Sequence, residues 1–266
     1  MLLANTFKKI TALTFIRMKL LLRQKLGWMS ALVGVLLVLI SIPVSELSFI
    51  NPQKIFWDFS LGIIFVLQVS LAVFLGSQLY HEERGRRTLH LVLSAGVSRF
   101  EWLVGNLFGN FFSLSLMNFL WLAFTYGASA VMFEEKVHWI VIQSSLLLSV
   151  EVFIVLSFSI LMSLVLRQML ALSFSALLVV LLHSMSSIQR VFTDPQVGRF
   201  VDDNGVSSVL WIARLLPPLE WLDLKMFVGY QEQVASSLVF QMTGLGIFWC
   251  IFLMCLSWLR FEKMDL

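Results

Sequence analysis

Residues 81–102 read HEERGRRTLHLVLSAGVSRFEW and separate two long apolar runs. The segment begins with a dense charge cluster, Glu82–Arg87, which ends the preceding apolar run. Thr88 can then cap a short helix. Three apolar residues of that helix recur at i, i+3 and i+4 and form one face: Leu89, Val92 and Leu93. The pattern predicts a short amphipathic helix between two membrane spans, which either docks onto a soluble partner or is only a charged loop at the membrane surface.

The end of the same segment predicts where the next long helix begins. Ser98 and Glu101 have the spacing of a capping box, in which the Glu101 carboxylate reaches back to the Ser98 amide. Gly105 and Gly109 follow within the first turns of that helix. Their Gly-x-x-x-Gly spacing lets a second helix approach closely, and we interpret the two glycines as packing residues.

The composition excludes an ordinary soluble domain. The chain has 266 residues, of which 59% are hydrophobic and 13% charged, whereas soluble domains carry about 25% charged residues. Apolar runs long enough to cross a bilayer recur along the chain, which predicts a polytopic helical membrane protein. The net charge of +3 is small and dispersed, so no nucleic-acid partner is expected. Cys250 and Cys255 lie in one apolar run, too far apart along a helix for a disulfide.

The apolar runs predict an all-α fold with six transmembrane helices in a single domain over residues 1–266. The predicted spans are residues 26–45, 59–80, 102–132, 139–166, 169–187 and 236–259. Residues 6–25 are predicted to form an interfacial helix at the membrane surface, or alternatively a plain positive flank. Its apolar side would contain Phe7, Ile10, Met18 and Leu21, and its basic side Lys8, Lys9, Lys19 and Arg23.

The distribution of Lys and Arg predicts the orientation. Most of these side chains fall in the N-terminal arm, in the loop 81–101 and near the C-terminus, so both termini are predicted to be cytoplasmic. Residues 188–235 would then be extracellular. They contain an apolar stretch, 206–216, that is too short to span a membrane and is stopped by Pro217-Pro218. This stretch predicts short extracellular helices before the last span, either partly re-entrant or on an external loop.

No sequence motif indicates an enzyme. The phosphate-binding pattern Gly-x-x-x-x-Gly-Lys-Ser/Thr is absent, and the four His residues are scattered without metal-ligand spacing, so no cofactor or metal is expected. Glu151 is the notable single residue, because it lies near the middle of the fourth predicted span, where ionisable groups usually face a protein interior or a water-filled path. His183, in the outer half of the fifth span, is a second candidate. Two interpretations stay open. Glu151 and His183 could line a translocation pathway, or Glu151 could be a neutral structural acid.

The loop 81–101 resembles the loop between the second and third helices of type-2 ABC exporter permeases, in particular the branch found in nitrous-oxide-reductase maturation. The resemblance rests on Glu83, on Thr88-Leu89, on Leu93-Ser94 and on Val97-Ser98-Arg99, followed by Gly105 and Gly109. The proline that usually precedes Val-Ser-Arg is replaced here by Ala95-Gly96.

The resemblance implies a permease subunit of an ABC transporter in the inner membrane of a prokaryote. In that family the segment is a coupling helix that contacts a separate ATPase subunit, which binds the ATP, and two permease copies assemble together. The residues expected to serve this coupling are Glu83, Arg86, Arg87, Thr88, Leu89, Val92, Leu93 and Arg99. The alternatives are a non-transporting membrane scaffold that recruits a different soluble protein and an ion-coupled secondary carrier. The substrate cannot be read from the sequence.

Overall fold

The computed structural model describes residues 2–47, 50–133, 139–185, 219–230 and 234–264. All regular structure in these residues is helical. The helices are α1 (Leu2–Arg23), α2 (Lys25–Glu46), α3 (Pro52–Gly85), α4 (Thr88–Ser94), α5 (Arg99–Phe133), α6 (Trp139–Val165), α7 (Gln168–His183), α8 (Lys225–Gly229) and α9 (Ser236–Glu262). A short 3₁₀ turn, Leu219–Leu222, precedes α8.

Five helices are long and apolar enough to cross a membrane: α2 from Gly27, α3, α5, α6 and α9. They confirm a polytopic helical membrane protein and coincide with five of the six predicted spans. The predicted fifth span corresponds to α7, which is apolar but has only 16 residues in its described part. It follows α6 after two residues, Leu166 and Arg167. The total number of spans therefore stays a prediction.

Helices α3 and α6 form the centre of the bundle. They pack against each other, and α6 also contacts α5, α7 and α9, while α3 contacts α2, α5 and α7. About half of the apolar part of each is buried, 50% for α3 and 56% for α6, against 22% for α2 and α9. The outer faces of α2 and α9 are exposed and apolar, as expected for helices that face lipid.

The bundle has two ends, which we name from their short helices. The α4 end contains α1, α4, the turn between α6 and α7, and the C-terminal end of α9. The α8 end contains the turn Leu219–Leu222 and α8. Hydrogen bonds join neighbouring elements at the α4 end, such as that between His81 Nε2 and the Leu166 carbonyl at 3.0 Å. The predicted helical stretch 206–216 lies outside the described residues.

Close helix contacts depend on glycine, as predicted for Gly105 and Gly109. A Cβ atom on Gly105 would lie 2.6 Å from Leu13 Cβ, and one on Gly109 would lie 2.6 Å from Arg17 Cβ. Because real Cβ atoms do not approach so closely, any other residue at these positions would push α1 away from α5. The predicted packing role is confirmed, and the partner of the two glycines is α1.

The inward face of α1 differs in part from the prediction. Leu21 is buried, as expected, but Phe7 is 69% exposed. The residues that face α5 are Leu13 and Arg17, because the two glycines of α5 bring the helices together along that line. Arg17, which the prediction assigned to neither side of the helix, is buried.

Candidate functional site

The short helix α4 forms where it was predicted, but its apolar face packs onto the bundle instead of facing a partner. Leu89 is fully buried, and Val92 and Leu93 are half-buried against the core. The opposite face is open, and its residues are Arg86, Arg87, Thr88, His90, Leu91 and Ser94. Leu91 is 69% exposed at the centre of this set. The surface that a partner could touch is thus basic, with one apolar side chain.

The N-terminal end of α4 is fixed to the end of α3. Arg87 precedes the helix in the left-handed region, with φ 57°, and makes no side-chain cap. Thr88 was predicted to cap α4, but it is the first helical residue, and its hydroxyl donates to the Glu83 carbonyl at 3.1 Å. The cap prediction was wrong because the sharp turn after Gly85 points the hydroxyl back toward α3.

Glu83 connects three helices beneath α4. The indole Nε1 of Trp102, on α5, donates to Glu83 Oε2 at 2.5 Å. Nη1 of Arg17, on α1, lies 3.8 Å from Glu83 Oε1, and Arg17 Nε donates to Asn110 Oδ1 at 2.9 Å. Burial lowers the pKa of Arg17, and the nearby Glu83 carboxylate opposes that shift.

The C-terminal end of α4 is held by α1 and by the start of α5. Lys9 Nζ donates to the carbonyl of Gly96, a residue with φ +81°, at 2.6 Å. The predicted capping box is confirmed, since the Ser98 amide donates to Glu101 Oε2 at 2.7 Å and the Glu101 amide donates to Ser98 Oγ at 3.1 Å. Lys9 Nζ also lies 3.9 Å from the same Glu101 oxygen.

Arg99 connects this segment to the last helix. Its Nη1 donates to the carbonyls of Phe261, Glu262 and Met264 at 2.7, 2.9 and 2.8 Å. These carbonyls lie at and just beyond the end of α9, so the guanidinium caps that helix. Thr88 thus bonds α4 to α3, and Lys9 bonds α1 to the carbonyl of Gly96 just after α4. The flanking residues Glu83 and Arg99 join α3 to α5 and α5 to α9. A displacement of α4 would therefore act on α3 and α5, the two helices that it connects.

The predicted coupling residues fall into two groups. Arg86, Arg87 and Thr88 lie on the open face of α4. Glu83, Leu89 and Arg99 bind inward, and Val92 and Leu93 are partly covered. The sequence did not single out Leu91 or His90, because helical periodicity identifies an apolar face without showing what that face contacts.

A second polar site lies inside the bundle, where the structure brings the two candidate pathway residues together. Glu151 on α6 is buried, and its Oε1 lies 3.1 Å from Nε2 of His183 on α7. The His183 ring stacks on Phe65 of α3, with centroids 4.9 Å apart. By helical rise, Glu151 lies about 21 Å along α6 from the α4 end. Glu151 thus lies near the middle of a helix that is long and apolar enough to cross a membrane.

The turn and helix at the α8 end reach this depth. Lys225 Nζ lies 3.4 Å from the centroid of the Phe65 ring and 3.0 Å from Asp223 Oδ2. A cavity of about 10 Å³ separates Asp223 and Lys225 from Glu151. Its polar walls include Asn118, Ser144 and Ser145. The sequence did not single out Phe65, Asp223 or Lys225. Nothing in the local pattern around Asp223 and Lys225 indicates that the predicted extracellular segment reaches inward to Phe65 of α3.

The long apolar helices and the buried polar pair define a polytopic helical membrane protein with two structured polar regions, one at the α4 end and one in its interior. Comparison of the sequence with models of known protein families gives no match, and comparison with curated proteins gives none either.

Proposed function

We propose that this chain is the membrane-spanning permease subunit of an ABC transporter, and that a separate nucleotide-binding subunit docks on α4. The observation that carries the proposal is the way in which α4 is held. It presents a basic surface with Leu91 at its centre, while Thr88 at its start is bonded to α3 and the Gly96 carbonyl just after it accepts from Lys9 of α1. The flanking residues Glu83 and Arg99 in turn join α3 to α5 and α5 to α9. Force applied to such an element reaches the transmembrane helices directly, as coupling to an ATPase requires.

In this proposal ATP binding to the partner supplies the energy, since the chain has no phosphate-binding motif of its own. Two permease copies and two ATPase subunits would assemble in the cytoplasmic membrane. The α4 end, with both termini, would face the cytoplasm. Closure of the ATPase pair would push on α4 and tilt the attached helices, which opens a path toward the α8 end for export of the substrate.

The Glu151–His183 pair favours one alternative, an ion-coupled secondary carrier. Ionisable residues inside the membrane commonly mark ion pathways, and the two side chains lie 3.1 Å apart. A scaffold without transport activity would use the same α4 surface but would have no use for this buried pair. The proposed permease and the ion-coupled carrier differ in whether the chain needs a nucleotide-binding partner.

Orientation in the membrane provides the first test. In a Cys255→Ser background, we expect a cysteine at Ile50, which is 89% exposed at the α8 end, to react in intact cells with a thiol reagent that cannot cross the membrane. A cysteine at the exposed Arg87 should react only after the cells are opened. Reaction at Arg87 from outside would place α4 away from any cytoplasmic ATPase and would refute the proposal.

A further inference from the structure

We propose that Glu151 and His183 form a proton-binding site within the membrane, and that this site exchanges its proton through the small cavity toward the α8 end. The proposal concerns the chain by itself and does not depend on the docking of an ATPase subunit. It therefore stands or falls separately from the function proposed above.

The two groups of the pair are close enough to share a proton. Oε1 of Glu151 and both ring nitrogens of His183 are buried, Oε1 lies 3.1 Å from Nε2, and Nδ1 has no hydrogen-bond partner among the described residues. Buried polar atoms without partners are rare, because each loses its hydration without a replacement. A proton that moves between the two groups, or a water beside them, would satisfy these atoms.

The charge of the pair also favours a shared proton. An isolated charge in the middle of a bilayer is costly. A carboxyl group and an imidazole that share one proton are neutral as a pair, whichever of them carries it. Removal of that proton leaves a single negative charge, and addition of another leaves a positive one. The pair can therefore hold one proton stably and exchange it when a neighbouring charge moves.

Few charged side chains of the described residues lie around the pair. Asp223 and Lys225 face the cavity and are bonded to each other at 3.0 Å. Helix α5 presents the neutral Asn118. The other described acidic, basic and histidine side chains on the charged neighbouring elements are Lys54 and Asp58 near the start of α3, Glu220 in the 3₁₀ turn and, at the α4 end, His81, Glu82, Glu83, Arg84, Arg99, Glu101, Arg260 and Glu262. Among the described residues, Lys225 is thus the positive group that faces the site.

A small cavity gives a proton access to the pair from the α8 end. The cavity of about 10 Å³ is lined by Glu151 and by Asp223 and Lys225. Such a volume is close to the minimum that holds one water, and the serine and asparagine groups on its walls supply the partners that a buried water needs. A single water could carry a proton between the pair and the α8 end. A metal ion fits poorly, since the described residues contain no group of three His, Cys, Asp or Glu side chains that could hold one.

Infrared spectroscopy of the purified chain in lipid nanodiscs tests the site directly. We expect the C=O stretch of a protonated carboxyl to lose area as the pH is raised, because the site gives up its proton. This change should be absent in Glu151→Gln and retained in Glu101→Gln, a control that keeps the capping box of α5. His183→Phe, which keeps a ring against Phe65, should shift the midpoint of the change.

Other spectral results would overturn the proposal. If wild-type and Glu151→Gln spectra have the same carboxyl bands at every pH, or if the Glu151 band does not vary with pH, the site does not exchange a proton. An unchanged midpoint in His183→Phe would remove His183 from the site. The wild-type chain and His183→Phe both contain the Glu151 carboxyl. A carboxyl band whose midpoint shifts between these two proteins is the one paired with His183, so the test works even if the Gln variant fails to fold.

Discussion

Replacement of Arg17 by Met should destabilise the protein by about 3 kcal/mol, the low end of the range for breaking a buried ion pair. Arg17 is buried between α1 and α5, where it donates to Asn110 and lies 3.8 Å from Glu83. Without it, the Glu83 carboxylate keeps only the Trp102 indole as a donor and remains partly buried as an unpaired charge. Unfolding in mixed micelles titrated with SDS would measure the loss.

Two further variants separate the ion pair from general effects on α1. Lys19→Met removes a charge two residues away on the exposed side of the same helix, and it should change the unfolding free energy by less than about 0.5 kcal/mol. Arg17→Met combined with Glu83→Gln should recover part of the loss, because the uncompensated charge is gone. If Arg17→Met is as stable as Lys19→Met, the buried network does not hold α1 in place.

Replacement of Leu91 by Asp should weaken binding of the nucleotide-binding subunit at least about 30-fold, the effect of losing an interface hot spot of about 2 kcal/mol. Leu91 is exposed at the centre of the open face of α4, and an aspartate there would place a carboxylate where an apolar side chain docks. The fold should be unaffected, because Leu91 makes little contact with the bundle.

The matched control for this substitution is Leu47→Asp. Leu47 is 77% exposed at the end of α2, on the side of the bundle opposite α4. We expect Leu47→Asp to leave the affinity for the ATPase subunit unchanged when binding is measured with purified components. Equal effects of the two substitutions would mean that Leu91 is not at the interface.

The sequence predicted the helices well, for a simple physical reason. A span must be about 20 apolar residues long, so its existence and ends can be read from composition. The bounds of α2, α5, α6 and α9 follow the predicted spans closely. The start of α5 was also predictable, because the capping box of Ser98 and Glu101 depends on residues three positions apart.

The sequence did not reveal which face of each helix points inward. In a membrane, apolar side chains suit both the protein core and the lipid, so hydrophobicity does not distinguish the two surfaces. The burial of Leu89 and the exposure of Phe7 were not foreseen either, because both lie on short or surface helices whose apolar faces can contact the bundle, the lipid or a partner. Contacts between distant residues, such as Lys225 with Phe65 or Arg17 with Glu83, depend on the packing of whole helices and leave no local pattern.

The central claim is that α4 is the docking site for a nucleotide-binding subunit, and photo-cross-linking in intact membranes tests it most directly. A photoreactive side chain at Leu91 should label a soluble protein whose sequence contains the Gly-x-x-x-x-Gly-Lys-Ser/Thr motif. The same group at Val131, which is 85% exposed toward the α8 end of α5, should label no such protein. Labelling of lipid alone from Leu91, or of a protein without a nucleotide site, would contradict the account.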